Sequence, residues 1–280
     1  MIRFSVVIPT YQRPEELAGC LDCLAPGAQQ LSFDNYEVLV SDDAGTGSET
    51  QRLVAEQYPW ATWVEGPARG VAANRNHGVR QSQGEWLVFT DDDCRPVEGW
   101  LDAYRSAQEN TSQQAMEGKT EPESEKPGPG WTAPINRQGG KLWSCNFAIR
   151  RSIYERLGGF DEDYPSFGVE DIDFRVRIYS DIDAVQFVPD AKVVHPWRKS
   201  RSLGSQIGKG KSWQRFFQKY PEKAQAYNLN FHLGVLLKFL AWVPLSIVKE
   251  EWRLEAGVKT KNLMKSTAIL YAQLRHGYQQ

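Results

Sequence analysis

The chain has 280 residues, with 33 Lys and Arg against 35 Asp and Glu and a formal net charge of −2. That length suits one elaborated domain or a domain with an appendage, and the near balance of charge excludes the global basic field that holds nucleic acid. Four cysteines, Cys20, Cys23, Cys94 and Cys145, are too few and too scattered for a disulfide framework. Cys20 and Cys23 fall on adjacent turns of one predicted helix and read as packing residues. The first residues run straight into an apolar strand without the pattern of a signal peptide, so a reducing, cytoplasmic setting is expected.

Residues 4–8 are short, β-rich and stopped by Pro9, which predicts a buried parallel strand entering a loop. A helix over 14–24, a strand over 36–41, a helix over 48–58, a strand over 61–65, a helix over 71–81 and a strand over 86–90 follow. This alternation predicts a parallel α/β half with helices on both faces of its sheet. After a helix near 100–108, residues 121–130 are rich in Pro, Gly and charge and read as a mobile loop, either a linker or a flap. From 142 to 194 the pattern gives a strand, a helix over 151–157, a Gly-Gly turn, a helix near 170–180 and a strand around 185–188, which complete the sheet. Beyond Arg198 come the basic residues Lys199, Arg201, Lys209 and Lys211 and then helices. Residues 231–248 form the most apolar window. His232, Lys238 and Pro244 interrupt it, short of the roughly 20 apolar residues of a spanning helix. A buried or dimerising helix, an interfacial membrane helix and a span all stay open.

The strongest chemical feature is Asp91-Asp92-Asp93, directly after an apolar strand. Carboxylates at the carboxyl end of a parallel strand sit in the crevice where open α/β sheets bind ligands. Adjacent acids need an offsetting cation, and hard oxygen ligands suit Mg²⁺ or Mn²⁺ on a diphosphate. A helix N-cap with acids in the first turn explains the same residues. A second acidic group, Glu170-Asp171-Ile172-Asp173, opens a helix after Phe167 and Gly168. A carboxylate there can act as a general base toward a hydroxyl, or it can cap the helix and pair with Arg175 and Arg177.

In this order the motifs resemble family 2 glycosyltransferases over about residues 4–198. The resemblance implies the GT-A fold, a Rossmann-like mixed α/β sheet that binds a nucleotide-diphospho-sugar. Residues 1–198 would form that catalytic domain, and 199–280 a basic, amphipathic, helical C-terminal extension. The opening Val6-Val7-Ile8-Pro9-Thr10-Tyr11-Gln12-Arg13 is similar to the family's donor-binding loop, which places Pro9, Thr10, Tyr11 and Arg13 at the nucleotide. Ser41-Asp42-Asp43 resembles its paired aspartates, with Asp42 at the base. Ala44-Gly45 departs from the usual Gly-Ser. Ala73-Asn74-Arg75-Asn76 resembles its helical polar pair, with Arg75 and Asn76 at the donor. Asp91-Asp92-Asp93 matches the D-x-D, which puts Asp91 and Asp92 at the donor and Asp91 and Asp93 on the metal.

The block from Trp143 and Asn146 through Gly158-Gly159-Phe160-Asp161-Glu162 to Glu170-Asp171 looks like the acceptor side. Trp143, Asn146 and Glu170 would then contact the acceptor, and Asp171 would be the base, with Glu170 orienting or replacing it. His195 falls where related enzymes often carry a histidine, either a third metal ligand or a structural residue. Trp143 and Trp197 can stack on sugar or pack in the core.

The resemblance implies an inverting, Mn²⁺- or Mg²⁺-dependent transfer from a nucleotide sugar, UDP foremost, to a glycan or lipid-linked hydroxyl in polysaccharide, glycolipid or glycoprotein synthesis. Peripheral contact with the inner face of the membrane, or a homodimer, would involve the C-terminal extension. The rival readings are a nucleotidyltransferase, whose Gly-rich phosphate loop is missing from residues 6–13, and a non-catalytic sugar-binding or membrane-scaffold protein on the same fold.

Overall fold

The computed structural model describes residues 3–110, 112–165, 168–199, 203–227, 229–248 and 250–276. Among these, the side chains of 203–208, 229, 241–248, 250–258 and 276 are not described. Phe167, Arg201 and the side chains in the second half of the apolar window therefore lie outside the description.

Eight strands form one mixed sheet. In chain order the first half comprises β1 (Phe4–Thr10), α1 (Pro14–Asp22), β2 (Tyr36–Asp42), α2 (Glu49–Gln57), β3 (Thr62–Glu65), α3 (Val71–Arg80) and β4 (Trp86–Phe89). Then follow β5 (Arg95–Pro96), α4 (Trp100–Glu109), β6 (Ala115–Pro122), the short β7 (Trp131–Thr132), β8 (Phe147–Arg150), α5 (Arg151–Arg156), α6 (Glu170–Asp181) and β9 (Gln186–His195). The strand order is β3-β2-β1-β4-β8-β6-β9-β5, with β3 to β4 mutually parallel and β8 antiparallel to both its neighbours.

Both faces of the central strands are buried, which is why they read as continuous apolar runs. Phe4, Val6, Ile8, Trp86, Val88 and Ala148 face one core, while Val7, Leu87, Phe89, Phe147 and Ile149 face the other. β1 extends past Pro9, where the sequence pattern placed a stop. Its ladder to β2 continues to Thr10, but β4 has already ended at Phe89 opposite Val7. Thr10 O accepts from Asp43 N–H on the β2 side, so Pro9 faces the vacated β4 side and its missing N–H leaves no broken bond. α3 lies close on β1 because of Gly78: a Cβ there would come within 2.7 Å of Val7 Cγ1. Ser48 caps α2 by accepting from Gln51 N–H at 3.0 Å.

The sequence pattern did not anticipate β6, and it gave β9 only its first few residues. Buried Glu117 and Thr120 hide the alternation of β6, and exposed Pro189 and Asp190 break that of β9. Between Gly118 and Lys119 the β6–β9 register shifts, so residues 189–191 bulge. Asn146 stitches this bulge. Its Nδ2 donates to Lys119 O at 2.8 Å and Ala191 O at 2.9 Å, and its Oδ1 accepts from Trp100 Nε1 at 2.9 Å and Tyr104 OH at 2.8 Å.

The chain divides into two compact units: 1–123, 134–162 and 170–196 form one, and 124–133, 163–169 and 197–280 the other. The second contains the β7–β10 ribbon, with β10 at Arg198–Lys199, and the helices α7 (Leu203–Lys219), α8 (Pro221–Gln225), α9 (Leu229–Val248) and α10 (Glu250–His276). No helix among the described residues is long and apolar enough to cross a membrane.

Asn146→Ala is expected to lower the unfolding free energy by about 3 kcal/mol or more, because it strands four partners at once, three of them buried. Urea denaturation measures this, and a loss below about 1 kcal/mol would show that the partners find replacements.

Candidate active site

The loops after β1, β2 and β4 meet at the carboxyl ends of parallel strands. The three aspartates after β4 point to three different partners. Asp92 is buried and turns toward the β1 loop, where its two oxygens accept from Thr10 Oγ1 and from Arg13 Nη1, each at 2.9 Å. Burial raises its pKa, against the pull of Arg13 and Thr10. Asp91 is partly exposed and accepts from Arg75 Nη2 at 2.7 Å. Asp93 is buried beside His195, with Oδ1 3.5 Å from Nε2. Thr10, Arg13, Asp92 and Asp93 are thus brought together, and Asp91 belongs to a different contact set.

His195 bears on whether a cation fits. Its Nδ1 lies 2.7 Å from Pro196 O, a carbonyl that can only accept, so Nδ1 carries the proton. Burial lowers the imidazole pKa and keeps the ring neutral. Nε2 therefore presents a lone pair toward the Asp93 carboxylate. Arg13 Nη1, 3.9 Å from the other Asp93 oxygen, offsets part of that charge, and a carboxylate with an imidazole is a donor set that Mn²⁺ accepts. Cys94 Sγ is the third atom of this cluster, all within 4.8 Å, in place of the expected Asp91. Burial first, and then its hydrogen bond with Cys145, push the Cys94 thiol well up, which keeps it protonated and a poor ligand.

Arg75 is the centre of the charge network. It projects from α3 almost fully buried, reaching Asp91 with Nη2 and Glu170 Oε1 with Nη1 at 3.4 Å, while its guanidinium lies 5.3 Å from the Phe160 ring centroid. Desolvation works against its charge, but Asp91, Glu170 and Asp171 outweigh it, and the pKa is raised. Of the acids that open α6, Glu170 meets Arg75 and Asp173 meets Arg177 Nε at 2.7 Å. Asp171 receives the backbone N–H of Ile172 at 2.8 Å, and no side chain among the described residues hydrogen-bonds to it. Burial raises its pKa, partly offset by Arg75.

Asp42, expected at the nucleotide base, is fully buried. It accepts from Ala44 N–H at 2.9 Å, Ser48 Oγ at 2.5 Å and Trp63 Nε1 at 3.3 Å, which shapes the loop after β2. Its neighbour Asp43 accepts from Ala68 and Gly70 N–H and holds the approach to α3. Asn76, expected at the donor, turns instead to the Gly158-Gly159 turn. Its amide bonds Phe160 N–H and O, Glu162 and Tyr154 OH. Gly159, at φ 69°, has no room for a Cβ there, which would come 2.6 Å from Asn76 Oδ1. Asn146, expected at the acceptor, makes all its amide hydrogen bonds within the fold, as described above. Trp143 is partly buried against the core, and its indole donates to Ile135 O at 3.2 Å. Trp197 belongs to the second unit and donates to Ser124 O at 2.9 Å.

A cavity of about 440 Å³ opens between the β1 and β2 loops and the start of α2, lined among others by Gln12, Pro14, Ala44, Thr46, Ser48 and Arg52. Gln12 holds a left-handed φ of 53° at its edge, and the adjacent Tyr11 is 57% exposed. Sequence reasoning passed over Gln12 and Cys94. It also passed over Glu117, a buried carboxylate that accepts from Lys141 and Leu142 N–H at 3.0 and 2.6 Å, from Asn136 Nδ2 at 2.8 Å and from Gly140 N–H. Only an acid flanked by strand residues in 115–122 hinted at it.

A mixed α/β sheet whose strand ends gather aspartates, a buried arginine and a loop-lined cavity is the arrangement in which open α/β sheets bind ligands. Sequence comparison makes this specific. The family model described as "Glycosyl transferase family 2" matches residues 5–158, and one described as "N-terminal domain of galactosyltransferase" matches 133–195. The chain belongs to glycosyl transferase family 2, and glycosyl transfer is its reaction class. It is 28% identical to the glycosyltransferase AglE of Haloferax volcanii over 74% of this chain and 72% of that protein. It is 35% identical to an uncharacterized glycosyltransferase of Haemophilus influenzae over 32% of this chain and only 29% of that one. The fold is similar to Staphylococcus aureus TarS solved with UDP-GlcNAc, with a TM-score of 0.64 at 16% identity, covering 100% of this chain and 93% of that one. It is also similar to the Pyrobaculum calidifontis mannosyltransferase PcManGT solved with GDP-Man and Mn²⁺, with a TM-score of 0.54 at 22% identity, covering 99% and 76%. These likenesses bear out the GT-A reading of the fold.

Arg75→Ala leaves Asp91 and Glu170 facing each other without a cation and is expected to cost about 3–5 kcal/mol of stability. Adding Glu170→Gln should recover part of that loss. Additive losses in a double-mutant cycle measured by urea unfolding would show that the two residues are not coupled.

Proposed function

We propose that the protein transfers a sugar from a UDP-sugar to an acceptor hydroxyl of a glycan in one inverting displacement, with Asp171 as the base. The observation that carries this reading is Arg75. It joins Asp91, on the strand-end loop, to Glu170, beside Asp171, so donor-side and acceptor-side groups share one charge network. The cavity beside Tyr11 and Gln12 suits a nucleotide base. The likeness to TarS with UDP-GlcNAc favours uridine, and PcManGT with GDP-Man keeps guanosine in any donor screen.

Asp93 and His195 would hold a divalent ion, Mn²⁺ or Mg²⁺. When bound, the ion neutralises charge on the departing nucleoside diphosphate. Asp92 does not need to join them, since it fixes the β1 loop through Thr10 and Arg13. Asp171 takes the acceptor's proton as the hydroxyl oxygen attacks the anomeric carbon and the bond to the diphosphate oxygen breaks. Burial raises its pKa, which makes it a stronger base than an ordinary carboxylate, while Arg75 pulls toward the charged form. Glu170, already paired with Arg75, orients rather than abstracts. Nucleotide sugars tested with Mn²⁺ for transfer or hydrolysis examine the reading directly. No turnover or binding with any UDP-sugar would overturn the donor assignment.

Asp171→Asn is expected to reduce transfer by about a thousandfold or more while donor binding persists. A carboxyl whose folded pKa is raised gives its stabilisation below the unfolded value of about 3.9 and loses it as pH rises through the folded value. The amide should therefore melt at or above the wild-type temperature at neutral pH, with the gain shrinking in acid. Intact turnover in the variant would sink the assignment.

Asp93→Ala and His195→Ala should each weaken Mn²⁺ binding by about tenfold or more, read by calorimetry without acceptor. Since His195 binds metal only when neutral and burial lowers its pKa, wild-type affinity should persist below about pH 6.5, where an ordinary histidine is already half protonated, and be lost only in more acidic solution. Unchanged affinity in both variants would refute the ligand pair.

A further inference from the structure

We propose that the second unit docks on an anionic lipid surface through a leucine stripe on α9. Leu233, Leu236, Leu237 and Leu240 are 46%, 41%, 65% and 55% exposed. Steps of three, four and seven place all four on one face of the helix. Among the described residues that face is left exposed, and the side that packs in the fold flanks it one turn away. The side toward α10 carries His232, which is buried with Nδ1 2.6 Å from Ser266 Oγ. Four large apolar side chains in a row on the surface are more than scattered exposure accounts for.

Charge says what covers them. The near neutrality of the chain conceals a division between its two units. The second holds 16 Lys and Arg against six Asp and Glu, a net charge of +10, and the first holds 17 against 29, a net charge of −12. Lys211, Lys223 and Lys238 are among the exposed cations of the basic unit. An apolar helical face on a strongly cationic unit is the pattern of an interfacial membrane helix, in which leucines enter the acyl boundary and lysines meet anionic headgroups. A second copy of the chain fits less well, because a symmetric interface through the same stripe would bring two units of charge +10 together. A crossing helix is not available among the described residues.

The purified full chain, floated with vesicles of phosphatidylglycerol and phosphatidylcholine in equal parts, should rise with them. It should not rise with pure phosphatidylcholine, and salt should weaken the association. The variant Leu237→Glu with Leu240→Glu should bind at least about tenfold more weakly. Its circular dichroism and melting temperature should be unchanged, because both leucines are exposed. If that variant fails to melt cooperatively, Leu233→Ser with Leu236→Ser carries the same comparison. The proposal is overturned if the wild type does not float with anionic vesicles, or if the folded variant floats equally well. It is also overturned if the wild type sediments as a dimer that these substitutions dissociate.

Discussion

A buried guanidinium needs compensating charge, and the site is organised around that need. Arg75 sits on a helix pressed against the central strand, where Gly78 allows the approach, so its charge cannot reach bulk water. Two carboxylates from distant parts of the chain compensate it, 16 and 95 residues away. Without this contact the loop after β4 and the start of α6 would each present acids to the same space and repel one another. With it, Arg75 opposes the burial that pushes the Asp171 pKa up. On the proposed mechanism, stability and chemistry would depend on the same pair of contacts, so the site would be costly to alter by single substitutions.

A second layer of buried polar groups holds the loops in place. Asn146, Asn76, Asp42 and Glu117 each use their hydrogen-bonding capacity on backbone or buried partners, and each fixes a segment that borders the site. A short polar side chain can replace a missing ladder bond at a bulge or turn. These residues work at that scale, and their number explains how a sheet with a register break and several left-handed residues remains defined.

Much of the parallel half was legible in the sequence, because period-two burial on both faces writes itself as unbroken apolar runs. Residues 36–41 and 86–90 needed extension or trimming by a single residue. The later half was harder to read. β6 includes Glu117, Gly118 and Thr120 as buried residues, and each contradicts the alternation by which a strand is recognised. At the site, spacing and resemblance brought out Asp91, Arg75 and Glu170, which the fold gathers into one contact set, Asp93 and His195, which it gathers into another, and Asp171, which follows Glu170 at the start of α6. It could not foretell that Asn76, Asn146 and Asp42 make their bonds within the protein. Those bonds depend on partners far along the chain or on loop conformation, and no local pattern encodes them. The charge division was hidden for a different reason: a sum over the whole chain cancels it.

The middle aspartate after β4 illustrates what a motif conceals. In a D-x-D pattern its position is written as free, yet Asp92 is tied to Thr10 and Arg13, 82 and 79 residues earlier. A neutral residue there would leave Arg13 with a weaker counter-charge and Thr10 without its acceptor, so its tolerance is set by the residues present at two other positions. Sequence drift at the three sites is therefore expected to be epistatic, with an apparently unconstrained letter inheriting its constraint from a loop at the far end of the domain.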